Sequence, residues 1–248
     1  MSPRIFHPGE ELARELDARD RLAAFRDRFH LPPDDDGSPL AYLCGNSLGL
    51  QPRATRASLE RELEDWARLA VDAHFDGRTP WYSYHETLRG PLARLVGALP
   101  GEVVAMNSLT VNLHLLMVSF YRPTPERHRI LIEQHAFPSD NYAVRSQARF
   151  HGFDPGQAVI VARARDGETT VRSEDLESLI EREGPTIALI LIGGVQFLTG
   201  QLFDLARIAE CGRRQGATVA FDLAHAVGNV PLALHDWGVD FAVWCSYK

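Results

Sequence analysis

Cysteine is scarce in this 248-residue chain: Cys44, Cys211 and Cys245 are its three, and they are widely spaced. They fit neither a disulfide framework nor a zinc knuckle, so they read as reduced thiols and no metal site is expected. Positive charge is also short, with 26 Lys and Arg against 33 Asp and Glu, a formal net charge of −7 and a sequence pI of about 5.8. The basic footprint that nucleic acid or an anionic membrane requires is therefore missing. No apolar run reaches the roughly 18 residues needed to span a bilayer. The opening stretch, MSPRIFHPGEELARELDARD, is too charged for a secretory signal, and a cytoplasmic location is expected. No G-x-G-x-x-G follows a first strand, and GGVQFLTGQ (193–201) does not fit that pattern, which argues against a nicotinamide-binding module. Internal repeats and low-complexity tracts are lacking too.

With 45% hydrophobic and 24% charged residues, the composition suits a soluble globular protein of one large domain, or one and a half. The first third reads as helical and irregular. Residues 9–30 are dense in Glu, Asp, Arg and Leu, as in an exposed helix, and LPPDDDGSP (31–39) reads as a turn or linker. From 53 to 70, Leu59, Leu63, Trp66 and Ala70 recur at helical spacing.

The remainder alternates between strand and helix. Strands are expected at RILIEQ (129–134), QAVIVARA (157–164), TIALILIGG (186–194), ATVAFD (217–222) and DFAVWCS (240–246). Between them, PSDNYAVRSQARFHG (138–152) and FDLARIAECGRRQG (203–216) read as helices. Another begins near Ser173, which resembles an N-cap ahead of Glu174 and Asp175, with Leu176, Leu179 and Ile180 on one face. The third strand is apolar almost throughout, as a parallel strand covered on both faces should be. The expected fold class is α/β, a mostly parallel sheet flanked by helices. The expected organisation is an N-terminal helical segment over 1–75 and a large domain over 76–248.

In open α/β sheets, ligands gather beyond the carboxyl ends of the strands. ATVAFD delivers Asp222 to such an end, with His225 three residues on, and DFAVWCSYK delivers Tyr247 and Lys248 to another. An acid, an imidazole, a phenol and an amine then converge on one crevice. Pyridoxal phosphate needs such a set, because it forms a Schiff base with a lysine and sets a carboxylate against its pyridinium nitrogen. Its phosphate needs backbone N–H donors at a helix start. NSLTVNLHLLMVSF (107–120) offers one, with Ser108, Leu109 and Thr110 at its N-terminus. Phe137, just after the 129–134 strand, is placed to stack on the pyridine ring. Singly, each residue has a plain structural use as cap, core or solvated side chain; their order and spacing together carry the expectation.

Five blocks resemble kynureninases: YLCGNSLGLQP (42–52), MNSLTVNLHLLMVSFY (106–121), HAFPSDNYA (135–143), GGVQFLTGQ (193–201) and FDLAHAVGNVPLALHDWGVDFAVWCSYK (221–248). That resemblance covers nearly the whole chain. It implies a fold-type I, pyridoxal-phosphate-dependent homodimer that hydrolyses L-kynurenine, or its 3-hydroxy form, to anthranilate or 3-hydroxyanthranilate and L-alanine. It also implies a role in tryptophan breakdown or pyridine nucleotide synthesis. Lys248 then matches the Schiff-base lysine, Asp222 the partner of the pyridine nitrogen, and His225 its neighbour. Leu109 and Thr110 match phosphate ligands. Phe137 matches the stacking ring, with Pro138, Ser139 and Asp140 completing the same cofactor-binding segment. Tyr247 matches a phosphate-binding tyrosine with a part in proton transfer, and His74 a residue near the substrate's aromatic ring. Some members carry a hydroxyl residue where this chain has Gly193, so one cofactor contact is expected to be missing. Kynureninases continue well beyond the lysine, so the sequence reads as truncated there, without the C-terminal small domain. Two alternatives remain: another class V pyridoxal-phosphate enzyme, such as a cysteine desulfurase or an aminotransferase, and an inactive fragment.

Overall fold

A computed structural model of the chain describes residues 9–248. The chain divides into two compact units, one ending at Trp81 and one running from Tyr82 to Lys248.

The first unit is helical. It contains α1 (Glu10–Arg19), α2 (Thr55–Leu69) and the short α3 (Ala73–Asp76). The helical spacing read over 53–70 is matched by α2, but Leu59, Leu63 and Trp66 are all exposed, and its one buried side chain is Asp65. Asp65 accepts from the Arg78 backbone N–H at 2.8 Å and from Arg78 Nε at 3.0 Å. These bonds hold its carboxyl down at about 2. Here a charged hydrogen-bond node, rather than the apolar stripe, fixes one face of the helix.

The second unit begins with α4 (Tyr84–Val96) and α5 (Leu109–Phe120). A five-stranded parallel sheet follows, built from β1 (Arg129–Glu133), β2 (Val159–Ala162), β3 (Ile187–Gly193), β4 (Thr218–Asp222) and β5 (Phe241–Val243). Its order is β2-β1-β3-β4-β5. The connections carry α6 (Pro138–Phe150), α7 (Pro155–Ala158), α8 (Ser173–Glu183), α9 (Leu205–Arg214) and α10 (Leu234–Trp237).

Alternation along the strands builds two cores. Ile130, Ile132, Leu189 and Leu191 face Leu113 and Met117 of α5 and Ala143 and Val144 of α6. Leu131, Ile190, Ile192, Val219 and Phe221 face Leu176 and Ile180 of α8 and Ile208 and Ala209 of α9. Neighbouring residues of one strand point to opposite faces, so a strand covered on both sides must be apolar at every position. Burying each such Leu or Ile is worth about 1.5–3 kcal/mol.

Three local expectations are adjusted. Residues 155–158 form a helical turn, so β2 is shorter than the expected strand. Ser173 is the first helical residue of α8; the N-cap position is Arg172, in extended conformation, without a side-chain cap. The last strand ends at Val243, which leaves Trp244 and Cys245 in the segment leading to Tyr247 and Lys248.

The strand order reverses between β1 and β3. The chain leaves β1 for β2 on one side and then crosses back to β3 on the other. Such a switch point opens a crevice beyond the carboxyl ends of the strands. Gly194, just past β3, lets two backbones close over this point. Its N–H donates to the Asp222 carbonyl at 2.7 Å. A Cβ there would lie 2.8 Å from Leu223 Cδ2 and 2.9 Å from Ala226 Cβ. Gly194→Ala is therefore expected to overpack the turn carrying Asp222 and His225 and to lower stability by roughly 1–3 kcal/mol. Urea denaturation checks this; an unchanged midpoint would show that the turn yields freely.

Candidate active site

The crevice at the switch point is lined by Leu109, Thr110, Phe137, Asp140, Asp222, His225, Tyr247 and Lys248, with Ser139, Glu133 and Gly193 among its other walls. Pro138, also expected in the set, instead opens α6, where its missing N–H costs no hydrogen bond. His74 belongs to the first unit, where its Nδ1 lies 2.9 Å from the Val71 carbonyl and its ring meets Trp81 edge-on at 5.2 Å.

Each wall has a local cause. Ser108 is the extended N-cap of α5, following Asn107 at a φ of 34°. The first-turn N–H groups of a helix have no acceptor inside it, so those of α5 point a partial positive charge outward. Phe137 holds the N-cap position of α6. Its ring is 43% exposed, so it is not a core residue; it meets Phe197 edge-on at 5.1 Å.

Lys248 Nζ lies 3.3 Å from His225 Nε2, 6.0 Å from the centre of the Phe137 ring and 5.9 Å from that of Tyr247. Burial, and then the neighbouring Lys248 charge, lower the His225 pKa, which favours a neutral imidazole able to accept a proton from the amine. The Tyr247 phenol is shifted up, chiefly by its hydrogen bond with Cys245. Lys248 is also the only lysine of the chain. Every other cation is an arginine, whose guanidinium stays protonated and offers no free amine.

The floor of the crevice is acidic. Asp222 ends β4 and is 8% exposed; its Oδ1 accepts from the Ala224 N–H at 2.8 Å. Asp140 is buried on α6, where burial and the Asp222 charge, together with a hydrogen bond to it, raise its pKa well above the ordinary range. Sequence reasoning missed Glu133, the buried end of β1, although the strand-end logic that found Asp222 applies to it equally. Neither Glu133 nor Asp140 has a lysine or arginine partner among the described residues.

Gln196, also missed, staples two loops of the site. Buried in GGVQFLTGQ, it donates through Nε2 to the His135 carbonyl at 2.8 Å, and its Oε1 accepts from the Leu198 and Thr199 N–H groups. The loops it joins carry Phe137 and Phe197.

A buried cluster of three acids suits a cationic ring. A helix N-terminus suits a phosphate, an aromatic face suits a stacked ring, and a lysine amine suits an aldehyde. The residues present fit pyridoxal phosphate in all four respects. Sheet, crevice and side chains together match the large domain of a fold-type I pyridoxal-phosphate enzyme.

The chain belongs to the class V aminotransferase family, whose model matches residues 41–248. It is 60% identical to a kynureninase of Koribacter versatilis over the whole chain, which corresponds to 58% of that relative. It is 57% identical to a kynureninase of Myxococcus xanthus, again over 58% of the relative. The chain thus spans less than two thirds of the length of these curated relatives. Among solved structures, a cysteine desulfurase of Escherichia coli superposes with a TM-score of 0.69 at 19% identity, over 92% of this chain and 55% of that one. A cysteine desulfurase of Thermococcus onnurineus superposes with a TM-score of 0.62 at 18% identity, over 82% and 48%. At those identities the likeness is one of fold.

Gln196→Ala is expected to lower stability by about 1–3 kcal/mol, because it strands backbone N–H groups that Oε1 now satisfies. It should also weaken pyridoxal phosphate binding by loosening the loop under Phe137. Equilibrium unfolding and cofactor titration check the two effects separately.

Proposed function

We propose that the protein is a kynureninase, hydrolysing L-kynurenine or 3-hydroxy-L-kynurenine to anthranilate or 3-hydroxyanthranilate and L-alanine. The observation that carries this reading is the convergence of Lys248, Phe137, Asp222 and the α5 N-terminus on one crevice, in a chain 60% identical to a kynureninase along its whole length. Tryptophan breakdown or pyridine nucleotide synthesis, in the cytoplasm and as a homodimer, completes the proposal on the family resemblance. The role of His74 beside the substrate's aromatic ring rests on the same resemblance.

Bound pyridoxal phosphate supplies an electron sink for the carbanion formed at the substrate's Cα. The chain's own residues do the rest. The first-turn N–H groups of α5, at Leu109 and Thr110, would hold the phosphate, and Phe137 would stack on the ring. Asp222, fixed by the Ala224 N–H, keeps positive charge on the ring nitrogen. The Lys248 amine would be the base that takes the Cα proton. His225, 3.3 Å away, is in reach to exchange a proton with that amine. Tyr247 is the phenol at the same mouth and carries a proton during addition of water to the substrate's side-chain carbonyl.

Two substitutions in the full-length protein test this. Lys248→Ala is expected to abolish the Schiff-base absorbance and the borohydride-trapped adduct on the peptide containing residue 248; a retained adduct elsewhere would remove the lysine from its role. Asp222→Ala should cut anthranilate release by roughly 10²–10³-fold, followed by anthranilate fluorescence. Near-wild-type turnover would end the pyridinium assignment. Sulfide release from cysteine, without anthranilate from kynurenine, would replace the whole reading with a desulfurase.

A further inference from the structure

Glu133 lies where β1 ends at the switch point, is 5% exposed, and has no role in the chemistry above. Its Oε2 accepts from the Gly193 N–H at 3.2 Å. A Cβ on residue 193 would lie 3.0 Å from its Oε1, so the carboxyl occupies the space that a side chain there would enter. Gly193 is in register with Asp222 across β3 and β4, which sets Glu133 beside the acid floor. The titratable groups around it are Asp140 from α6, Asp222 from β4, and His225, Tyr247 and Lys248 from the segments following β4 and β5. Burial raises its pKa to about 7, and the Asp222 charge pushes in the same direction.

Glu133, Asp140 and Asp222 share the crevice with one amine, Lys248, and a single cation cannot answer three buried carboxylates. A glutamine would satisfy the Gly193 N–H equally well, so the hydrogen bond alone does not require an acid here. We propose that Glu133 is a positioning residue that sets the charge of the cofactor pocket, keeping its proton while Lys248 is the one amine of an empty crevice and yielding it to solvent when a cationic ring is bound there. This rests on the pyridoxal-phosphate reading of the site. Glu133 acts through the two aspartates: in the empty crevice it limits their combined negative charge, and in the filled one its carboxylate adds to the field that holds the ring positive.

Glu133→Gln in the full-length protein keeps the acceptor for Gly193 and removes the proton. In the cofactor-free protein, a carboxyl whose folded pKa is raised from 4.5 to about 7 makes wild type lose stability as pH rises through that interval. The stability of wild type relative to the variant should therefore fall from pH 4.5 towards 7 and then level off; parallel pH profiles would overturn the proposal. Calorimetric titration with pyridoxal phosphate at about pH 6, in buffers of different ionisation enthalpy, should show wild type releasing up to about one proton more than the variant. Equal release would also overturn it. If wild type binds no pyridoxal phosphate, the functional reading fails, whereas the stability profiles still decide whether Glu133 holds the proton. If the variant does not fold, Asp140→Asn decides, because it removes the other protonated acid of the crevice. Its protonated-carboxyl infrared band at pH 6 should still weaken on cofactor binding, and an unchanged band would overturn the proposal.

Discussion

All strands of a parallel sheet end on the same edge, and in this chain that constraint brings buried acids together. β1 and β4 both finish in a carboxylate, Glu133 and Asp222, and β3 between them finishes in Gly193, without a side chain to separate them. Asp140 reaches the same place from the first turn of α6. Burying several acids is costly unless a proton or a cation answers the charge. The architecture therefore asks for positive charge at the switch point. The remaining walls meet that demand in compatible ways, with the dipole of α5 aimed outward and the Lys248 amine close by.

The same edge explains why the groups around the crevice come from distant parts of the sequence. Phe137 and Asp140 follow β1, Gln196 and Phe197 follow β3, His225 follows β4, and Tyr247 and Lys248 follow β5. Each sits within a few residues of a strand end, so the sheet's register fixes the site more firmly than any single loop does. Gln196 and Gly194 show how the loops are tied back. One staples the β3 turn to the carbonyl of His135, and the other lets that turn close against Leu223 and Ala226.

Much of this was legible in the sequence because it rests on strand composition. Runs such as TIALILIG are apolar at every position and announce a doubly covered strand, and an acid closing ATVAFD announces a strand end. Glu133 escaped the same logic because RILIEQ carries its polar residues as an unremarkable tail, and only pairing with β3 shows that tail to be buried. Gln196 escaped because a glutamine in a Gly-rich turn has no local signature; its partners lie on another loop. The stripe of Leu59, Leu63 and Trp66 gave the helix correctly but not its burial, since periodicity reports conformation and not what covers a face. Ser173 missed the N-cap position by one residue, because several polar residues in a row leave the cap's place open.

The lysine is the point where composition and geometry meet. A side chain that must attack an aldehyde has to shed its proton, which an ammonium can do and a guanidinium cannot. Among its lysines and arginines, this sequence offers a primary side-chain amine at one position, Lys248. That position borders an imidazole whose pKa is lowered by burial and by the amine itself.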